Sequence, residues 1–268
     1  METGYSWDTG LIRKLNEDSI FCASFDMKMH AGTVSAGIFA VADGMGGHNA
    51  GEIASSLGIK TFTAETICDL LSPSAPPPLT ILSSAFNKAN STVLEAARDR
   101  ELQGMGTTLT AALIIDHDMY IAHIGDTRCY IINSRETLEV TKDHSVVQQL
   151  VDTGMITHEQ AMTHPRKNEI TRVLGYAPDT VPDLIQVKLY AGDNILLCSD
   201  GLCGVLSSNK IAETVISASN PGQACADLTA QANLAGGPDN ISVIIVKPDN
   251  LPSWQALITA KTSIRTVK

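Results

Sequence analysis

The feature that most constrains the fold is a group of short apolar runs that follow one another with only a few residues between them. Three of these runs span residues 107–115, 119–124 and 129–132. The connections are too short for a crossover helix, so successive strands must lie antiparallel. Two earlier runs, 19–25 and 35–42, also have strand length and end at turn residues. The first half of the chain therefore predicts an antiparallel sheet.

Helical periodicity is confined to segments that alternate with these groups of strands. Apolar residues recur every three or four positions over 48–71 and 79–102, and a proline-rich stretch separates the two segments. Further strands are predicted at 186–190, 194–199 and 241–246, and further helices at 207–217 and 222–234. Because strands and helices are segregated, the pattern predicts an α+β fold built in layers. The polar segment 144–182 is predicted to be a surface insertion.

Composition excludes several classes of protein. The 268 residues are 44% hydrophobic and 18% charged, which is typical of a folded globular domain. The 19 Lys and Arg against 29 Asp and Glu give a net charge of −10, so nucleic acid is not an expected partner. No apolar run approaches the roughly 20 residues of a membrane span, and the N-terminal segment lacks the apolar core of a signal peptide. We expect a cytoplasmic protein with no membrane partner, whose six cysteines, which form no CxxC pair, are buried thiols.

Aspartates lie at the ends of the apolar runs. Asp43, Asp126 and Asp200 each follow a predicted strand directly, and Asp239 precedes the last one. A lone carboxylate beside a core costs several kcal/mol, so such groups are normally paired or bound to metal. No Lys or Arg stands in the immediate neighbourhood of Asp43, Asp200 or Asp239. Hard oxygen ligands without a His/Cys cluster favour Mg²⁺ or Mn²⁺ over Zn²⁺. The pattern predicts a divalent cation site.

Glycines follow two of these acids. Gly44 comes directly after Asp43, and Gly201 after Asp200. A residue without a Cβ permits a tight turn and lets a backbone carbonyl approach a ligand. Asp-Gly is also a common turn sequence, so either pair alone supports both interpretations. The four acidic positions together favour the metal site.

Six ordered motifs carry a family resemblance. They are RKLNED at 13–18, VADGMGGH at 41–48, MGTT at 105–108, IGDTR at 124–128, LCSDG at 197–201 and PDNIS at 238–242. Over about residues 4–247 the chain resembles metal-dependent serine/threonine protein phosphatases of the PP2C type. The resemblance implies a four-layer α/β/β/α sandwich of two antiparallel sheets flanked by helix pairs. It also implies a domain over 1–247, with a substrate-contacting flap at about 144–182, and a C-terminal extension over 248–268.

The resemblance assigns metal ligands. It implies that Asp43 bridges two Mn²⁺ or Mg²⁺ ions, that the carbonyl of Gly44 binds one, and that Asp200 and Asp239 complete the other. Such a pair of cations lowers the pKa of a bridging water, which then attacks phosphorus in line without a covalent intermediate. Asp126 would share a third, weaker ion with Asp200. Its alternative role is a hairpin carboxylate that pairs with Arg128.

The resemblance also assigns groups around the metals. Arg13 corresponds to a phosphate clamp, since a guanidinium can bind two phosphoryl oxygens at once; alternatively it is an ordinary surface arginine. Glu17 and Asp18 would orient metal-bound waters, although such a pair on its own is more often a solvated turn. Some family members carry a histidine directly after Asp-Gly as the acid for the leaving group, whereas this chain has Met45.

That departure leaves the general acid open. His48 lies close in sequence and has a suitable unperturbed pKa of about 6.5. A water on the third metal competes for this role, and His48 alternatively only begins the helix. In the flap, Arg166, Lys167 and Arg172 either contact phosphopeptides or form a solvated basic patch.

Two other functions compete with the preferred hypothesis. Asp116-His117-Asp118 resembles the strand-Asp-x-Asp signature of haloacid-dehalogenase phosphotransferases, but that signature requires a parallel sheet. A phosphatase-like scaffold that binds phosphoproteins without cleaving them is the second alternative. The preferred hypothesis is a monomeric phosphatase that hydrolyses phosphoserine and phosphothreonine in proteins, the targets of a Ser/Thr kinase.

Overall fold

The computed structural model describes residues 1–29, 32–46 and 50–253. Its strands are β1 (Glu2–Asp8), β2 (Asp18–Met29), β3 (Gly32–Met45), β4 (Gly106–Thr107), β5 (Leu109–Ile115), β6 (Asp118–Ile124), β7 (Arg128–Ile132), β8 (Thr137–Glu139), β9 (Asp183–Lys188), β10 (Asn194–Cys198) and β11 (Ile241–Lys247). Its helices are α1 (Gly51–Leu70), α2 (Pro78–Ala96), α3 (Val146–Asp152), α4 (His158–Met162), α5 (Asp200–Cys203), α6 (Ser208–Ser217) and α7 (Pro221–Leu234).

The strands form two antiparallel sheets. Sheet 1 has the order β1-β11-β10-β7-β8, and sheet 2 has the order β2-β3-β5-β6-β9, with β4 paired to β3. The prediction that the short apolar runs are antiparallel neighbours is confirmed for β5 and β6. It is wrong for the third run, because β7 lies in sheet 1, where it pairs with β10 and β8. Between β5 and β6 the chain turns through Asp116, whose φ is 50°, and Ile115 pairs with Asp118. This hairpin contradicts the haloacid-dehalogenase alternative, which requires a parallel sheet.

Three apolar clusters hold four layers together. The first packs α1 and α2 against sheet 2, with Phe62 and Phe86 at its centre. The second fills the space between the sheets, where Phe39 of sheet 2 and Leu197 of sheet 1 are fully buried. The third packs α5, α6 and α7 against sheet 1, around residues such as Leu228. The predicted α/β/β/α sandwich is confirmed, because each sheet has one face on the other sheet and one face on helices.

Several local expectations differ from the structure. Three elements were not predicted. They are β1, a half-exposed edge strand with polar residues along its length, the three-residue β8 and the four-residue α5. The prediction of six buried thiols is also wrong, because Cys68 is exposed on α1 and Cys22 is only partly buried. The strands β1 and β8 and the helix α5 were missed because periodicity detects long elements with a continuous apolar face, which these three lack.

The predicted insertion is anchored to the edge of the sandwich at both of its ends. His144 donates its backbone N–H to the carbonyl of Gly125, and Thr107 and Leu174 exchange backbone hydrogen bonds. These attachments place α3 and α4 beside the ends of β4 and β6. Within the described part of the chain, no helix combines the length and the apolar character needed to cross a bilayer.

Candidate metal centre

Five aspartates meet at one end of the sandwich. Asp18 and Asp43 are direct cross-strand partners on β2 and β3, Asp126 follows β6, Asp200 follows β10, and Asp239 precedes β11. These strand ends coincide because neighbouring strands run in opposite directions. The negative charges of the other four each raise the pKa of Asp43, so all five carboxylates lie within electrostatic range of one point. We refer to these five residues as the acid cluster.

Burial is the main cause of the raised pKa values of four acids in the cluster, Asp18, Asp43, Asp126 and Asp200. The pKa of Asp18 is raised to about 7, first by burial and then, against the opposing hydrogen bond from the Ser199 hydroxyl, by the charges of Asp200 and Asp239. Burial and the charge of Asp239 raise the pKa of Asp200 to about 6. The pKa values of Asp43 and Asp126 are raised well above normal, again mainly by burial. The protein alone therefore supplies too little positive charge to this cluster.

The carboxylate oxygens of the acid cluster are incompletely hydrogen-bonded. Among the described residues, Asp18, Asp126 and Asp200 each have a buried Oδ1 atom without a hydrogen-bond partner. The other oxygen of Asp18 accepts a hydrogen bond of 2.7 Å from the Ser199 hydroxyl. A buried oxygen without a hydrogen-bond partner destabilises the fold. Carboxylate oxygens are the ligands that hard divalent cations prefer. The donor set therefore fits Mg²⁺ or Mn²⁺.

The described side chains are spread more widely than a loaded centre requires. No three His, Cys, Asp or Glu side chains in the described ranges already surround a single point as metal ligands. Arg13 instead provides a counter-charge at the edge of the cluster: its Nη2 lies 2.7 Å from Oδ2 of Asp239, and its Nη1 lies 3.7 Å from Oε2 of Glu17. About half of the Arg13 side chain is exposed. The guanidinium is therefore accessible to an anion that approaches the cluster.

Two glycines permit a close approach of backbone segments at this site. A Cβ on Gly44 would lie 2.0 Å from the carbonyl oxygen of Gly51, and one on Gly201 would lie 1.9 Å from the carbonyl oxygen of Asn240. A Cβ on Gly51 would lie 2.9 Å from the Gly44 carbonyl oxygen and 2.4 Å from Oε1 of Glu17. The Gly44 carbonyl and the Glu17 carboxylate thus face the same small space at the start of α1. Sequence reasoning missed Gly51, because a glycine that begins a helix carries no distinctive local signal.

Asn240 is a second residue that sequence reasoning missed. Its Oδ1 accepts from the backbone N–H of Glu17 at 2.8 Å, and its Nδ2 donates to the carbonyls of Thr9 and Leu15, both at 2.9 Å. One buried amide therefore fixes the loop that carries Arg13 to the strand that follows Asp239. The signal was present in the PDNIS motif, which contains Asn240, but an amide beside an acid does not reveal a partner more than 200 residues away.

The structure also locates the groups whose roles were left open. Arg128 donates from Nε and Nη2 to both oxygens of Asp143, at 2.8 and 2.7 Å, so its carboxylate partner is Asp143 rather than Asp126. Met45 is the last residue of β3 and lines a cavity beside the insertion. His48 lies outside the described residues, so its role as the general acid stays a prediction.

The basic residues of the insertion have different surroundings. Arg166 binds Glu169 within the insertion through two hydrogen bonds of 2.8 and 2.6 Å. Arg172 donates to Asp183 at 2.9 Å at the base of the insertion. Lys167 lines a cavity of about 330 Å³ that Asp126 and Asp200 also line. Of these three residues, Lys167 is therefore the one placed beside the acid cluster.

Comparison with known proteins identifies the family. The family model described as Protein phosphatase 2C matches residues 15–235, which is most of the chain. The chain belongs to the protein phosphatase 2C family. Among curated 2C phosphatases, the chain is 35% identical over 252 residues to the serine/threonine phosphatase Stp of Listeria monocytogenes, covering 93% of this chain and 96% of Stp. It is 37% identical over 243 residues to PstP of Mycobacterium tuberculosis, covering 89% of this chain but only 43% of PstP.

Solved structures of 2C phosphatases agree with this assignment. A crystal structure of the M. tuberculosis phosphatase PstP superposes with a TM-score of 0.78 at 36% identity, covering 91% of this chain and 98% of that one. A structure of the PstP catalytic domain in complex with two manganese ions gives a TM-score of 0.76 at 36% identity, covering 91% and 96% of the two chains. The resemblance stated from the motifs is confirmed, and the chain is a metal-dependent serine/threonine protein phosphatase.

Proposed function

We propose that this protein removes phosphate from phosphoserine and phosphothreonine in other proteins, using two Mn²⁺ or Mg²⁺ ions held by the acid cluster. One observation carries the proposal: acids from both sheets meet at one end of the sandwich, and three of them have buried oxygens without partners. The two manganese ions in the structure of PstP support the number of ions. When bound, such ions would lower the pKa of a water enough for hydroxide to be available as the nucleophile at neutral pH.

The surroundings of each donor atom support its proposed ligand role. Asp43 would contact both ions, because it lies between the acids of the two sheets and its pKa responds to all of them. The Gly44 carbonyl would join it on the side of Glu17, where Gly51 leaves space. Asp200 and Asp239 would complete the set from sheet 1. Asp126, beside Asp200, is the proposed ligand for a third ion.

The remaining residues would position water and substrate. Asp18 has one oxygen fixed by Ser199 and one free to accept from a water, and Glu17 would act in the same way at the edge of the cluster. Arg13 would exchange its contact with Asp239 for the phosphoryl group of the substrate. A guanidinium suits this task because its N–H groups match two phosphoryl oxygens and its charge offsets that of the transition state.

A phosphatase assay on a matched pair of variants tests the proposal. Asp43→Asn should reduce the hydrolysis of a phosphothreonine peptide by at least about a hundredfold, since it removes a proposed ligand of both ions. Asp118→Asn is the control, because Asp118 begins β6 at the opposite end of that strand from Asp126. Wild-type activity should require Mn²⁺ or Mg²⁺ and disappear with a chelator. Full activity of Asp43→Asn, or of the wild type in chelator, contradicts the proposal.

The scaffold alternative predicts a different result. A scaffold binds the phosphopeptide in the presence of Mn²⁺ but does not release phosphate from it or from p-nitrophenyl phosphate. The kinase partner, the monomeric state, the cytoplasmic location and the extension over 248–268 stay predictions from the sequence. Most of that extension lies outside the described residues, and β11 ends at Lys247.

A further inference from the structure

Large apolar side chains are exposed on the loop that carries Arg13. Leu11, Ile12 and Leu15 are 65%, 70% and 50% exposed, and Leu234, the last residue of α7, is 88% exposed. Single exposed apolar residues are normal on protein surfaces, but several grouped beside a site indicate an interaction surface. We name these four residues the apolar rim.

The loop is held in place although its side chains are exposed. Both ends of the loop accept hydrogen bonds from Asn240, through the carbonyls of Thr9 and Leu15. Its middle is also tied down, because the backbone N–H of Leu11 donates to the carbonyl of Gly237 at 2.9 Å. A surface fixed in this way binds a partner without the cost of ordering a loop.

The turn that follows Leu234, the last residue of α7, packs against the loop. Leu234 ends the helix, and Gly236 and Gly237 then turn the chain with φ values of 116° and 49°. A Cβ on Gly237 would lie 2.9 Å from Cγ of Leu11, so the loop packs directly against this turn. The apolar rim is therefore formed by two neighbouring segments, with Arg13 between Ile12 and Leu15 in the chain.

We propose that the apolar rim binds the polypeptide segment next to the phosphorylated residue of a protein substrate, and that it favours segments with apolar side chains. This inference rests on the proposed function, because Arg13 is the proposed contact of the phosphoryl group. A segment that extends from that group toward the loop meets the rim immediately. The charges beside the rim are mixed, because the exposed Arg13 and Lys14 lie in the loop with Glu17 and Asp239 nearby. The preference for apolar segments therefore rests on the exposed apolar side chains of the rim.

Two substitutions and one matched control test the rim. We expect Ile12→Ser and Leu234→Ser each to lower kcat/KM for a phosphothreonine peptide with flanking leucines, relative to kcat/KM for p-nitrophenyl phosphate, by about fivefold. Most of the change should be in KM. Leu71→Ser is the control, because Leu71 is also an exposed leucine at a helix C-terminus. It lies at the far end of α1, roughly 30 Å from the start of that helix near Glu17.

A second peptide, with serines in place of the flanking leucines, separates specificity from general damage. The rim variants should change its kcat/KM relative to p-nitrophenyl phosphate by less than about twofold, since it has little apolar surface to lose. Equal losses for both peptides, or an unchanged ratio for the leucine peptide, overturn the inference. A wild-type protein that hydrolyses neither peptide instead overturns the proposed function.

Two other occupants of the rim give distinct results. If the rim binds a membrane, the wild type but not Ile12→Ser sediments with vesicles of phosphatidylcholine and phosphatidylglycerol. If it binds a second copy of the chain, the wild type sediments as a dimer and Leu234→Ser as a monomer. Either result overturns the assignment of the rim to the substrate.

Discussion

At the scale of single residues, the acid cluster combines deep burial with incomplete hydrogen bonding. Asp18 is 2% exposed, and its ionised form is disfavoured enough that its pKa reaches about 7. Asp200 shows the same effect, with a pKa of about 6. These residues weaken the metal-free fold, because ionised groups there lack compensating charge. They are retained in the fold only at a cost in stability, which a bound cation would offset.

Asp200→Asn should separate function from stability. In the presence of a chelator at neutral pH, we expect the free energy of unfolding to rise by about 1–3 kcal/mol, because the neutral amide removes a disfavoured charge. Urea unfolding with and without chelator measures the change, and phosphatase activity should be lost. A variant that is less stable than the wild type in chelator contradicts this account.

At the scale of elements, the strands bring the acids to one end of the sandwich, and short turns and helices then fix the position of each acid. Asp200 begins the four-residue helix α5, and Gly201 packs against the backbone of Asn240 at the start of β11. This contact sets the distance between the acids that flank β10 and β11. A side chain at position 201 has no room, because the nearest atom is a backbone carbonyl oxygen rather than a flexible side chain.

Two glycines that occupy the second position of a helix make a matched test. Gly201→Ala should destabilise the protein by about 2–4 kcal/mol, since its Cβ would overlap the Asn240 carbonyl. Gly222→Ala, in the first turn of α7, should change the stability by less than about 1 kcal/mol, because its Cβ would meet only the Asn220 side chain, at 3.3 Å. Thermal unfolding measures both variants. Equal stability of the two variants shows that the contact at position 201 is not tight.

Elements with a continuous apolar face were predictable from the sequence, and elements without one were not. β5, β10 and β11 lie in the interior and have long apolar runs, whereas β1 is an edge strand whose residues are largely half-exposed or exposed. The acids of the site were predictable because they end those runs. Asn240 and Gly51 were not assigned, because their roles depend on loops that are distant in sequence.

At the scale of the whole molecule, the acid cluster joins the two sheets. Asp18 and Asp43 belong to sheet 2, whereas Asp200 and Asp239 flank strands of sheet 1. Asp126 lies in the connection between β6 of sheet 2 and β7 of sheet 1. Cations held between them would connect the sheets at one end of the sandwich, in addition to the apolar cluster between the sheets. Metal binding should therefore stabilise the whole fold rather than one loop.

The stabilisation by Mn²⁺ should depend on pH. The folded-state pKa values of Asp18 and Asp200, about 7 and about 6, exceed the unfolded value of an aspartate. The metal-free native state therefore binds extra protons, and its free energy of unfolding falls as the pH rises through this range. Because protons and cations compete for the same oxygens, the difference in Tm between Mn²⁺ and chelator should grow from about pH 5 to about pH 8.

Taking the difference in Tm removes the effects of groups that do not bind metal. Burial lowers the pKa of His123 to about 4, and this group weakens the fold in acid whether or not Mn²⁺ is present. The Asp200→Asn variant should show a smaller dependence on pH, because it retains one fewer of the raised carboxyl groups. A difference in Tm that is constant over the whole range contradicts a role for these carboxylates in binding the metal.

The pairing of β1 with β11 has a consequence for synthesis of the protein. These strands pair from Glu2 with Lys247 to Asp8 with Ile241, so the ribosome makes β1 long before it makes β11. β1 has no neighbour in sheet 1 until β11 has left the ribosome. Asp239 directly precedes β11, so it joins the acid cluster at the same stage. With the ligand roles proposed above, the metal centre would therefore be complete only after β11 has paired with β1.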